Sequence, residues 1–475
     1  MDPALVALQD AMLPQGLPVL PRVELAARCL LAASDAGSGG DWFDAIPLPD
    51  GRVVVVVGDV VGHGVEASVV MAELKAVFDE RVREDGDIVA ALELIDRRAG
   101  RLADARTTTV CACVLDPQTG ELGYCTAGHP PPVVVTPDGR ASYLPLSGGR
   151  PLGAEQSFSR GQHVLGEGDV LLLYSDGLVE RPGSPAQNTV DLLRVAGQVL
   201  TGPATEETTV DRICREVLDV LTRVTGYSDD ITVLAVQRAA AVVPLRLVLP
   251  AVTGSVPTVR AGLSDWLAHL RIGPVDEMAL LHAVSELVAN AVEHAYPVPR
   301  ATDLVRIAGD LGPTGEVRLE VADDGRWRVP VEDVDRGRGL AMVRAYTDDF
   351  RVGQSASGTR AVVRHQVAHP VALLRGVSTG PVVDGELGLS VDGQDVLVTG
   401  IVDRAGAVLL RRTLDRASRG GTRLVSVDLS EVDLLSSAGV RVLVDASVDG
   451  EVRLVAAAGS AAQRALDLVH LPYRS

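Results

Sequence analysis

Apolar positions along this chain follow two rhythms, and the change from one to the other divides it. From about residue 21 to 240 strand-length apolar runs dominate. The segment Gly40-Asp41-Trp42-Phe43-Asp44-Ala45-Ile46 leads into the turn signal Pro49-Asp50-Gly51-Arg52, and a valine run at 53–57 follows, closed by Gly58-Asp59. That pattern predicts a hairpin. Asp41 and Asp59 lie nearly equidistant from the turn, so they should meet at its open end. The glycines of Val60-Val61-Gly62-His63-Gly64 then let the chain turn tightly into a helix reaching about residue 83. Further on, the run 170–174 ends in Ser175-Asp176-Gly177, and Ser228-Asp229-Asp230 precedes a strand at 231–236. Two long helices are expected in this stretch. Ahead of it, residues 1–20 offer a short amphipathic helix (Leu5, Leu8, Met12, Leu13) ended by Pro14, either a docking or dimerisation arm or a helix packed on its own domain.

The second rhythm begins beyond Arg238-Ala239-Ala240-Ala241-Val242-Val243-Pro244, which marks a boundary. A strand at 245–249 is followed by helices expected over about 257–270 and 276–295, the latter stopped by Pro297. On that second helix Glu286, Asn290 and His294 recur at four-residue intervals and share one face, while Leu280, Val284, Leu287 and Val288 can face a core. Val321-Ala322-Asp323-Asp324-Gly325 ends a strand, Gly337-Arg338-Gly339-Leu340 opens a helix, and Ser357-Gly358-Thr359-Arg360 opens a last strand. Glycines at such breaks let backbone approach a nucleotide, and a helix N-terminus suits its phosphates. Residues 365–387, with Pro370, Gly376, Gly380 and Pro381, read as a linker. Strands then alternate with helices to the end: strands at 389–401 around Asp392-Gly393, a helix at 407–418, a strand at 424–429, a helix at 440–444, a strand at 452–456 and a helix at 460–469. This is a small α/β domain. Within it Ser436 and Ser437 stand where a helix N-cap would, a place that would hold a phosphate rather than repel it.

Composition narrows the class. A chain of 475 residues, 47% hydrophobic and 23% charged, is globular and large enough for about three domains. A net charge of −19 argues against tracking nucleic acid or an anionic membrane, so partners should be proteins and small ligands. The start Met1-Asp2-Pro3 lacks a basic targeting region and the valine run is too short to span a bilayer, which predicts a cytoplasmic protein. Five cysteines without a Cys-x-x-Cys indicate neither a disulfide framework nor a zinc site. Lys75 stands alone among many arginines, pointing to a high-GC bacterial genome.

Three resemblances follow from these residues. Gly-Asp-x-x-Asp at Asp41, Gly-Asp-Val-x-Gly-His-Gly at Asp59, Ser-Asp-Gly at Asp176 and Asp-Asp-Ile-Thr at Asp229, with Ala127-Gly128-His129-Pro130-Pro131 and Gly149-Arg150-Pro151-Leu152-Gly153, resemble the metal-dependent type-2C serine/threonine phosphatases, in the SpoIIE/RsbU branch. The resemblance implies a β-sandwich flanked by helices over 21–240 and two manganese or magnesium ions. Asp59 would bridge them, the Val60 carbonyl would join the second, Asp176 and Asp229 would complete the first, and Asp41 would bind metal or its water. Glu286 with Asn290 and the glycine breaks resemble the GHKL (Bergerat) ATPase α/β sandwich of RsbW-type anti-sigma serine kinases, over 241–368, with residues 326–336 as an abbreviated lid. That implies ATP and magnesium, with Asn290 on the metal, Glu286 as general base, Asp323 on adenine, and Gly325, Gly337, Gly339, Gly358 and Thr359 lining the nucleotide. The serine loop resembles the phosphoacceptor loop of STAS anti-anti-sigma domains, over 369–475, with Ser437 as acceptor.

All three belong to one pathway. The expected protein is a multidomain α/β and α+β partner-switching regulator in which a phosphatase removes and a kinase adds phosphate on a STAS serine while the kinase domain sequesters an alternative sigma factor. STAS-domain proteins in cis or trans, an upstream sensor and a homodimer partner complete the expected set. The alternative is a non-catalytic scaffold or sigma-binding module with one decayed enzyme domain.

Overall fold

The computed structural model describes residues 13–31, 40–60, 65–102, 105, 107–180, 185–203, 205, 207–225, 229–296, 300, 302–325, 338–355, 358–375, 387–402, 404–418, 423–435, 437–448, 450, 452–469 and 471–474. The valine run becomes Val53–Asp59, buried at every position. It reads as unbroken valine because both of its faces are covered. Val53, Val55 and Val57 face a core shared with a second sheet, while Val54 and Val56 face the helices Val65–Asp85 and Ile88–Ala99. Its own sheet runs in the order Asp41–Pro47, Val53–Asp59, Thr109–Leu115, Glu121–Ala127, Gly161–Val164. The facing sheet runs Ala372–Arg375, Val23–Leu31, Ile231–Arg238, Val170–Tyr174, Val133–Val135, Ala141–Tyr143, and its outer face packs on the helices Pro185–Thr201 and Thr209–Thr225.

The result is a four-layer unit, helices on either side of a β-sandwich. The sequence predicts two long helices here, and the described residues hold four, because each sheet presents an apolar outer face that one helix is too narrow to cover. The helix Ile88–Ala99 had a legible start: Asp87 caps it, its carboxylate accepting from Val89 N and Ala90 N.

The second unit is an antiparallel sheet in the order Leu245–Pro250, Leu304–Leu311, Glu316–Asp323, Gly358–Gln366, Asp349–Ser355. One face packs on the helices Ser255–Leu270, Pro274–Asn290 and Arg338–Tyr346. The long helix expected to continue to residue 295 changes pitch after Asn290 into a π-helical turn, Ala291–Ala295. The third unit holds the strands Gly388–Asp392, Asp395–Val402, Val425–Leu435, Val452–Val455 and Tyr473–Arg474, the first pair antiparallel and the rest parallel. The helices Arg404–Ala417, Ser437–Val448 and Ala461–Leu468 complete it. Its central strand runs on to Leu435, past the end expected at 429, through register shifts against the strand Asp395–Val402.

Of the expected linker at 365–387, residues 365–375 form strand rather than linker, and residues 376–386 lie outside the described residues. Ala368–Pro370 pairs with Gly16–Pro18 and Ala372–Arg375 pairs with Val23–Leu31, since Val371 and Leu373 are apolar and pack on the sandwich core. Of the helical arm expected over 1–20, residues 1–12 lie outside the described residues, and 13–20 are not helical: Gly16–Pro18 is a strand, because Leu13, Leu17 and Leu20 are drawn into the sandwich core. Among the described residues no helix is long and apolar enough to cross a membrane. All five cysteines are buried free thiols.

One buried carboxylate holds a whole loop. Asp96, fully buried on the helix Ile88–Ala99, accepts from Gly153 N (2.8 Å), Ala154 N (3.2 Å) and Gln156 N (2.9 Å). Asp96→Ala leaves three amides without their acceptor. The expected loss is about 3 kcal/mol of unfolding free energy, measured by chemical denaturation, with the midpoint lowered and the slope retained.

Candidate functional site

The hairpin places its two aspartates as its spacing requires: Asp41 and Asp59 are direct partners in the antiparallel ladder, at the end away from the turn. Both are buried. Beside them the strand Val170–Tyr174 delivers Ser175 and Asp176, and the strand Ile231–Arg238 is entered through Asp229 and Asp230. The acidic groups therefore converge on one end of the sandwich from separate strands. Burial, and after it the charges of Asp59 and Asp230, hold the Asp41 carboxyl well above the usual carboxylate range; a hydrogen bond from the Ser175 hydroxyl opposes this. Asp176 is raised in the same sense by burial, then by Glu180, Asp229 and Asp41.

The backbone around the hairpin mouth is equally constrained. Val60 N donates to Gly40 O at 3.0 Å, and a Cβ on residue 40 would stand 1.7 Å from the Val60 carbonyl oxygen, so only glycine lets the two strand ends close. Val60, expected to offer that carbonyl to a metal, is buried at this closure. Residues 61–64, with the expected glycine turn, lie outside the described residues.

Two groups that the sequence reading quoted only inside motifs, or not at all, tie the sheets together here. His129 is buried between them, with Nδ1 2.8 Å from Thr109 Oγ1 and Nε2 3.0 Å from the Tyr174 carbonyl. A carbonyl only accepts, so Nε2 carries the proton and Nδ1 accepts from the threonine hydroxyl. Thr109 is the ladder partner of Asp59, and Tyr174 lies two residues before Asp176, so one imidazole sets the spacing between two acidic strand ends. Ser175 is the other missed group. Its Oγ accepts from Thr232 N at 2.9 Å and its hydroxyl donates to Asp41. The legible signals were Gly-His-Pro and the serine of Ser-Asp-Gly, both polar residues set among apolar strand positions.

Whether these residues suit a metal turns on their donors. The Oδ2 atom of Asp41 is buried without a hydrogen-bond partner, and the causes that raise Asp41 and Asp176 include no cation. Clustered oxygen donors short of positive charge fit a hard divalent ion. Among the described residues, no three His, Cys, Asp or Glu side chains are already drawn together as a cage.

In the second unit a pocket is lined by Leu287, Asn290, His294, Asp323, Leu340 and Thr359, among others. Asn290, Asp323 and Thr359 were expected there. Asn290 Nδ2 donates to the Glu286 carbonyl (2.8 Å) and to Glu286 Oε1 (3.2 Å), which joins two expected residues directly. Asp323 and Thr359 are ladder partners, and Asp323 Oδ1 accepts from Gly325 N at 2.9 Å. Burial raises the Asp323 carboxyl, opposed by backbone N–H groups of Gly325 and Thr359. Gly339 lies against Glu286: a Cβ there would stand 1.9 Å from Oε1. Gly358 opens the last strand. Gly337 and the lid segment 326–336 lie outside the described residues. In the third unit a helix opens at Ser437, though residue 436 and the side chain of Ser437 lie outside them too.

Comparison with known proteins matches the first two of these units in order. The family described as stage II sporulation protein E (SpoIIE) matches residues 49–239, and the histidine kinase-like ATPase domain matches residues 249–365. The crystal structure of the RsbU and RsbW domains of Rv1364c from Mycobacterium tuberculosis is 40% identical, with 76% of this chain and 99% of that one covered and a TM-score of 0.69. The phosphoserine phosphatase RsbP of Bacillus subtilis is 24% identical over 152 residues, 30% of this chain and 38% of that protein. Protein IcfG of Synechocystis is 26% identical over 263 residues, 49% of this chain and 40% of its own. The chain thus spans about two fifths of the length of these curated relatives.

His129 yields a prediction with a definite sign. Burial pushes the imidazole down to about 4, below its unfolded value of about 6.5. Its contribution is therefore complete above pH 6.5 and is lost as pH falls toward 4. Asp41 and Asp176, raised by burial, act in the opposite sense and remain in a His129→Gln variant. The stability gap between parent and variant should shrink by about 3 kcal/mol from neutral pH to pH 4, measured by denaturant unfolding at each pH.

Proposed function

The chain belongs to the family of the joined RsbU and RsbW domains, a SpoIIE-type phosphatase unit followed by a histidine kinase-like ATPase unit, and from that premise we propose that it is a partner-switching regulator. In this reading residues 21–240 dephosphorylate a serine, residues 241–368 phosphorylate it, and residues 369–475 form a STAS-type domain carrying it at Ser437. The observation that carries the reading is the pairing of Asp41 with Asp59 at the sandwich end reached by Asp176 and Asp229. Asp41, Asp59, Asp176, Asp229 and the Val60 carbonyl would hold two manganese or magnesium ions. When bound, such ions supply hydroxide near neutral pH and offset charge during in-line attack on phosphorus. The protein's own contribution is placement. Gly40 closes the hairpin mouth on Val60, Ser175 orients Asp41, and His129 fixes the spacing of the two sheets.

For the ATPase unit, Asn290 would hold magnesium, Asp323 would accept from adenine, and Glu286 would take the proton of the attacking serine. The hydrogen bond from Asn290 to Glu286 supports this by setting base and metal ligand side by side. An alternative sigma factor is the partner that phosphorylation of the STAS serine leaves to the kinase unit, because the added charge weakens STAS binding there, and a cytoplasmic location in a bacterium follows from such a partner.

Replacing Asp59 by Asn should abolish metal-dependent hydrolysis of an aryl phosphate while leaving the unfolding transition in place. Full turnover in excess chelator would overturn the two-metal assignment. For the ATPase unit, Glu286→Gln should keep ATP binding and stop transfer, whereas Asn290→Ala should lose the magnesium-dependent part of binding, as read by nucleotide titration and phosphosite mapping. Phosphate on a residue other than Ser437 would reassign the acceptor.

A further inference from the structure

On leaving the ATPase unit the chain does not run straight to the third unit. It turns back and is stitched to the phosphatase unit. Gly273 N donates to Ala368 O (3.0 Å), and Ala368 N donates to Asp276 Oδ2 (3.2 Å). His369 then bridges the two units, Nε2 lying 3.2 Å from Asp211 Oδ1 and Nδ1 3.0 Å from the Arg271 carbonyl. Val371 N donates to Gln15 O, and Val371 and Leu373 pack on the sandwich core. Last, Ala372–Arg375 adds to the edge of the Val23–Leu31 strand in parallel, Leu373 opposite Cys29 and Arg375 opposite Leu31.

The direction of that strand decides where it ends. Leu30 is opposite Ile231, the residue that follows Asp229 and Asp230. The Cys29 thiol, raised first by burial, also feels the charges of Asp41 and Asp230. Running parallel to Val23–Leu31 therefore carries the chain toward the carboxylate end of the sandwich. An antiparallel strand would have released it at the opposite end.

We propose that Ala372–Arg375 is an anchor that releases the third unit at the mouth of the phosphatase unit, so that the phosphatase acts on the phosphoserine of its own chain. This rests on the partner-switching reading above. Extended chain from Arg375 to Leu387 reaches at most about 40 Å. A unit of this size has a radius of gyration of about 12 Å, so the tether allows it to turn its serine toward the site without leaving the neighbourhood. A tether of this kind gives an effective concentration on the order of millimolar.

The test uses the full chain with phosphoserine installed at position 437 during translation, with manganese present. Loss of phosphate should follow a first-order rate independent of protein concentration, and those amides of 372–375 that face Val23–Leu31 should exchange as slowly as in the adjoining sheet. Leu373→Pro, which fixes φ and removes a backbone N–H in the middle of the added strand, should abolish that protection and slow phosphoserine loss at least about tenfold while hydrolysis of an aryl phosphate persists. Should the proline variant lose aryl hydrolysis as well, Leu373→Ser, which keeps the backbone donor but removes the packing, takes its place with the same expectations. Unprotected amides on that side of 372–375, an unchanged rate in the variant, or a parental rate proportional to protein concentration would each overturn the anchor. A parent that hydrolyses aryl phosphate but not its own phosphoserine within the molecule loses the anchor alone. A parent that hydrolyses neither loses the phosphatase reading, and the anchor with it.

Discussion

Carboxylates buried at one end of a β-sandwich repel one another, and much of the phosphatase unit answers to that repulsion. Asp41 faces Asp59 across a ladder, and Asp176, Asp229 and Asp230 arrive from the other sheet, with Asp41, Asp59 and Asp230 buried and Asp176 and Asp229 half-buried. Such a cluster persists only if the scaffold prevents the strands from splaying apart. The restraints are found at that end. His129 spans the sheets, Ser175 ties Asp41 to the strand of Thr232, and Gly40 locks onto Val60. Around them the valine core supplies the apolar burial that offsets the electrostatic cost.

The ATPase unit solves a milder version of the problem. Its acidic residues are fewer and each has a donor: Glu286 receives Asn290, and Asp323 receives backbone N–H groups of Gly325 and Thr359. The π-helical turn immediately after Asn290 still leaves His294, with Ala295, lining the same pocket as Asn290. Gly339 sets the following helix against the Glu286 carboxylate, so the base is bounded by a neighbour with no side chain to push it aside.

Much of this was legible in the sequence because it depends on local rules. Alternation, a Pro-Asp-Gly turn and four-residue spacing gave the hairpin, its aspartate pair and the shared face of Glu286 and Asn290. What stayed hidden depends on residues distant in the chain. Asp96 gives no sign of its three amide partners nearly sixty residues away, and His129 acquires its role only when two sheets stack. The first part of the expected linker, residues 365–375, proves to be strand for the same reason. Its prolines and glycines are local signals, whereas the partners of Leu373 and His369 lie some 340 and 160 residues earlier.

The borrowed edge strand also bears on how this protein can be divided. Ending a fragment near residue 240, where the motifs of the first unit stop, would remove Ala372–Arg375 and leave the edge of Val23–Leu31 uncovered along residues 28–31. That strand is long, largely apolar and carries an inward cysteine, the features of an edge that recruits another chain. Cutting the gene at the motif boundary thus yields a sticky half-sheet, while a fragment extended through residue 375 keeps its own cover. Selection on the coding sequence should feel the same pressure, holding the two units together as a single inherited piece even where their chemistries could work apart.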